Sequence, residues 1–137
     1  MNKYAWLTTC FSLFLLLILI LANSGSDLIL LFTQFPMADK IGHFSLFGAL
    51  AFLVNKALSC RTRIWFGKVI LVGSFWVLAL VALEELSQIF INTRQFDVTD
   101  FMYDCVGIYL GGFVAVLTDN LTLPDAKIFG MIRKSRL

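Results

Sequence analysis

Four blocks of nearly unbroken apolar residues dominate this chain, and each is close to the length that crosses a bilayer. A helix rises about 1.5 Å per residue, so about 20 residues traverse a hydrocarbon core of about 30 Å. The blocks are Tyr4 to Ala22, Ile41 to Leu58, about Ile64 to Phe90, and about Asp100 to Thr118. The third exceeds what a crossing needs and is expected to tilt or project. Only 15% of the 137 residues are charged and 59% are hydrophobic, whereas a soluble domain carries about 25% charge. Because the apolar excess falls in blocks, it points to spans rather than to a large soluble core. The expected fold is an all-α membrane protein, one domain over residues 1–137, with four transmembrane helices.

Between the first two blocks, Leu28 to Phe35 is apolar but too short to span. It is expected to lie as a short interfacial segment before the second helix, ended by Pro36. The first block reads as a retained span rather than a cleaved signal. Its apolar core runs past the usual length of about 7–15 residues, and no A-x-A site follows. The end of the chain, KIFGMIRKSRL, mixes basic and apolar residues. An amphipathic piece on anionic lipid and a frayed tail are both open there.

Some classes are excluded early. Net charge is +2, and no basic stripe with interleaved aromatics suggests nucleic acid. Cys10, Cys60 and Cys105 have neither redox nor metal-ligand spacing. One histidine is thin support for a metal, so neither a cofactor nor a metal is expected from the sequence.

The basic residues set the expected orientation, because they concentrate on cytoplasmic loops. Nine of the eleven Lys and Arg (Lys3, Lys56, Arg61, Arg63, Lys68, Lys127, Arg133, Lys134 and Arg136) fall on one side of a four-span drawing. That side is expected to be cytoplasmic, with both termini inside. Lys40 and Arg94 fall on the opposite side, with the only histidine and most of the acids.

Three segments bring ionisable groups to that outer depth. Asp39, Lys40 and His43 open the second block, and Asp39 and His43 are four apart, on one helix face. Glu85 and Gln88, three apart, close the third block, and Arg94 follows. Asp97, Asp100 and Asp104 then form a stripe that continues into Gly107 and Gly111. The Gly107-x-x-x-Gly111 spacing lets another helix approach closely. Charges near hydrocarbon are costly and usually face a bundle interior or a wet cavity, where they pair. These nine residues are therefore expected to line an outward-facing polar cavity: Asp39, Lys40, His43, Glu85, Gln88, Arg94, Asp97, Asp100 and Asp104.

The arrangement Asp39-Lys40-Ile41-Gly42-His43-Phe44, Glu85-Leu86-Ser87-Gln88, Arg94-Gln95-Phe96-Asp97-Val98-Thr99-Asp100 and Gly107 to Gly111 resembles the VanZ-like family. The resemblance covers about residues 35 to 118. It implies a small bacterial cell-membrane protein in a cell-envelope setting, and the family is linked to low-level teicoplanin resistance. One position departs: the family has Asn where this chain has Asp104.

Three functional readings follow. The first is a binding site for an anionic envelope molecule, such as a lipid-linked or wall-derived component. Lys40 and Arg94 would clamp the anion, and His43 would donate or carry a proton. The second is a membrane-embedded hydrolase or transferase with His43, Glu85, Asp97 and Asp100 as catalytic candidates. The third is a purely structural or interaction role. An ion conductor fits poorly, since the inner halves of the spans offer only Asn55, Lys56 and Ser74.

Overall fold

A computed structural model describes residues 3–23, 37–88 and 98–120. Its described part is mostly helical: α1 Lys3–Asn23, α2 Ala38–Ala57, α3 Val72–Gln88 and α4 Val98–Asn120. The interfacial segment expected at Leu28 to Phe35, the KIFGMIRKSRL tail, and Arg94 and Asp97 lie outside the described residues. Among the described residues, two helices are long and apolar enough to cross a membrane, over Lys3–Leu21 and Val98–Asp119, with mean hydropathies of 2.3 and 1.6. The four-crossing expectation thus stands in a coarser form, as four helices of which two have spanning character. Of the other two, α2 carries Asp39, Lys40 and Lys56, and α3 is only 17 residues long.

One expected boundary is corrected. The third block was placed from about Ile64, but the helix begins at Val72 and is preceded by a β-hairpin. Strand β1 (Thr62–Trp65) pairs antiparallel with β2 (Lys68–Leu71), in the register Thr62 to Leu71 through Trp65 to Lys68. The two loop residues, Phe66 and Gly67, both have positive φ, at 49° and 73°. This is the hairpin turn whose twist matches its strands. β-Branched and aromatic residues on either side favour pleated strands over helix. Trp65 meets Phe75 of α3 edge-on, with ring centroids 4.8 Å apart, which ties the hairpin to the bundle.

α2 ends just before the hairpin in a defined cap. Ser59 and Cys60 take positive φ. The Cys60 N–H donates to the Asn55 carbonyl at 2.7 Å, and the Ser59 N–H to that of Lys56 at 3.1 Å. This pair of reversed bonds satisfies carbonyls that a helix end leaves free.

The most extensive helix contact is α2 against α4. Glycines set its distance. A Cβ on Gly107 would strike the Phe44 carbonyl oxygen, and one on Gly111 would strike that of Gly48. The core below is small: Leu50, Ala51, Val77, Val81 and Ile108, with Phe11, Leu15, Phe47, Val54 and Phe101 packed around it. The outward faces are apolar instead, with Trp6, Leu17, Trp76, Leu83, Tyr109 and Phe113 all exposed. In water this would be a very large apolar surface. Against lipid tails it costs nothing, and helix association then depends on the close packing that small residues allow.

Candidate functional site

The polar groups of α2, α3 and α4 meet at one end of the bundle. The glycine seam draws α2 and α4 together, so side chains a turn above it touch directly. Lys40 Nζ donates to Asp100 Oδ1 at 3.1 Å. One turn deeper, His43 Nδ1 stands 3.1 and 3.2 Å from the two oxygens of Asp104. The other ring nitrogen, Nε2, faces Asp39 Oδ1 at 3.8 Å. The His43 ring also leans on Phe47, at 6.0 Å between centroids, which restricts its rotation.

Burial grades the cluster. Asp39 is exposed and Lys40 and His43 are partly buried, whereas Asp100 is 9%, Glu85 2% and Asp104 0% exposed. Glu85 enters from α3, and its Oε2 is buried without a hydrogen-bond partner. A buried carboxylate oxygen with no donor is costly. Ligand atoms of His43, Glu85 and Asp104 lie within 4.8 Å of one another. Asp39, His43 and Asp100 form a second such set, more open to solvent.

Six of the nine expected site residues are thus brought together: Asp39, Lys40, His43, Glu85, Asp100 and Asp104. Gln88 closes α3, but its side chain, like Arg94 and Asp97, is outside the described residues.

A second polar layer lies at the far end of α2, and the sequence reading gave it too little weight. Asn55, fully buried, donates to the Ala51 carbonyl and to Ser74 Oγ, both at 2.8 Å. It accepts from the Ser74 N–H at 3.3 Å. Beside it, Lys56 Nζ donates to Asp119 Oδ1 at 3.0 Å and lies 5.5 Å from the Tyr4 ring centroid. Asp119 was not among the polar groups expected at that depth. The available signal was a lysine inside an apolar helix, which requires a partner.

A family model described as VanZ/LLP1 matches residues 4–119. The match takes in α1, which carries none of the polar motif, as well as the three helices that build the site. Searches of curated proteins and of solved structures returned no match. The apolar helices and this match together mark a membrane protein. The family model spans most of the sequence, and the chain therefore belongs to the VanZ/LLP1 family.

Proposed function

We propose that all four helices cross the cell membrane, with both termini cytoplasmic, and that the cluster at the N-terminal ends of α2 and α4 faces outward. There it engages an anionic cell-envelope component, lipid-linked or wall-derived. The observation that carries this reading is the meeting of Lys40 and His43, each held by a carboxylate of the facing helix, at one end of the bundle. A shallow apolar groove along the glycine seam, lined by Phe44, Gly48, Phe52, Gly107 and Gly111, adjoins the cluster. A charged head group over an apolar tail suits such a pairing of surfaces. Lys40 and Arg94 supply the positive charge, and the carboxylates orient Lys40 and His43. Altered teicoplanin susceptibility follows if the component is a wall precursor.

Orientation is tested by impermeant maleimide labelling of intact cells in a background without the native cysteines. Met37→Cys is expected to label and Ser59→Cys is not. Function is tested by expressing His43→Ala and Glu85→Gln in a bacterial host. Teicoplanin susceptibility is scored beside membrane protein level and melting temperature in detergent. Resistance lost at unchanged level and melting supports a working site. A scaffold role is the second reading, favoured by Lys40–Asp100 and His43–Asp104 both bridging α2 to α4. It is the one to keep if both variants melt early.

A further inference from the structure

Ligands held about 2.1 Å from one divalent ion stand about 3 Å from each other. The ligand atoms of His43, Glu85 and Asp104 lie within 4.8 Å of one another, so a small inward adjustment of side chains brings them to ligation. The three come from α2, α3 and α4 respectively, whose backbones the glycine seam and the core hold in place. Glu85 is 2% exposed with its Oε2 unpartnered. Lys40, the described cation nearest this end of the bundle, is engaged with Asp100. Two carboxylates with a neutral imidazole carry a charge that one divalent ion cancels. Around metal centres a ligating imidazole gives its other N–H to a carboxylate, and Asp39 stands where it could take that role once the contact shortens to a hydrogen bond. Here Nδ1 faces the cluster and Nε2 faces Asp39 at 3.8 Å.

We propose that His43, Glu85 and Asp104 form a binding site for a divalent transition-metal ion, with Asp39 orienting His43 from behind. Mixed imidazole and carboxylate ligation suits Mn²⁺ or Zn²⁺ better than an all-oxygen ion such as Mg²⁺. Three protein ligands leave coordination positions open. A phosphate or carboxylate oxygen fills one of them, and that last step alone rests on the envelope-ligand reading.

The test uses the full chain, purified in detergent and stripped with chelator, then titrated with Mn²⁺ and followed by electron paramagnetic resonance. About one ion per chain is expected, with nitrogen modulation from His43 in the pulsed spectrum. Glu85→Gln and Asp104→Asn should each weaken binding by about tenfold or more, and Asp39→Asn by about tenfold, the usual cost of losing an orienting partner. No saturable binding, or equal affinity in Glu85→Gln at unchanged melting temperature, overturns the site. Should the variants not fold, the wild-type spectrum decides, because bound Mn²⁺ without a nitrogen ligand also overturns it. Inorganic phosphate is then added to the loaded protein. Mn²⁺ binding with no response to phosphate supports the site and counts against the envelope ligand. Phosphate binding that needs no Mn²⁺ does the reverse.

Discussion

His43 and Asn55 lie about 18 Å apart along α2, and each marks a polar layer in an otherwise apolar bundle. The layer around Asn55 is closed. Its amide makes three hydrogen bonds, two of them with Ser74, while Lys56 is bonded to Asp119 and covered by Tyr4. The layer around His43 is open. It holds two inter-helix bonds of the same kind, yet Glu85 is left with a buried oxygen and no donor. Inter-helix hydrogen bonds in membranes average only about 0.6 kcal/mol. Closing a layer completely is thus a modest gain in stability, and leaving a carboxylate open is a cost that stability does not explain. On the proposed function the contrast separates a staple from a site: the staple consumes its own polar groups, and the site keeps some for a ligand.

The widest way to break this comparison is to separate the helices that carry both layers. Gly111→Val forces a branched side chain against the Gly48 carbonyl. Overpacking commonly costs about 1–3 kcal/mol, and here the obstacle is backbone, so the upper end or loss of the folded protein is expected. Membrane level and melting temperature in detergent check it. An unchanged melting temperature would mean that α2 and α4 do not meet on this seam.

Next comes the closed layer alone. Lys56→Ala removes the ammonium that faces Asp119. Breaking a fully buried pair costs about 3–5 kcal/mol. Asp119 is a quarter exposed, at 25% of its side chain, so water offsets part of this. A loss of about 2 kcal/mol is expected on that argument. The double variant Lys56→Met with Asp119→Leu should recover most of it, since no stranded charge remains. Equal melting of the single and double variants would remove the pair from the staple.

At the open layer a smaller effect on stability is expected, and a larger one on function. Glu85→Gln keeps the shape and replaces a buried carboxylate that lacks a donor, so stability should hold or rise. Ion binding should weaken by about tenfold or more, and any envelope phenotype should be lost. If Glu85→Gln melts as early as Lys56→Ala, the two layers are alike and the distinction fails.

The open layer was largely legible in the sequence, and the closed layer was not. Asp39, Lys40 and His43 at the head of one apolar block, with Asp100 and Asp104 at the head of another, are conspicuous because charge is rare there. Spacing of three and four placed them on shared faces, and Gly107 and Gly111 indicated that another helix would approach the last one closely, without saying which. Lys56 was visible too, but its partner lies 63 residues away, and no local spacing connects the two. The hairpin was hidden for a different reason. Ile64, Trp65, Val69 and Ile70 read equally as a helix start, because a short apolar run does not declare its period. Phe66–Gly67 carries a weaker turn signal than Asn–Gly, although Gly67 takes the positive φ that such a loop needs.

The smallest effect uses Cys60, which reports on the closed layer from outside the spans. Burial, and to a lesser degree the nearby Asp119 carboxylate, hold its thiol above the ordinary value, while Lys56 opposes them. The thiolate is the form that reacts. With Cys10 and Cys105 replaced, maleimide labelling of Cys60 should therefore be slow near neutral pH and still rising above pH 9, later than for an ordinary thiol. Asp119→Asn removes a charge that disfavours the thiolate, so labelling should quicken. Lys56→Met removes a charge that favours it, so labelling should slow. Each change should stay below about tenfold, a single unit of pKa. Opposite shifts in the two variants would place both charges beside Cys60 and confirm the pair without relying on stability. Shifts of the same sign would mean that the substitutions act by opening the turn, and the closed layer would then be a looser structure than its hydrogen bonds suggest.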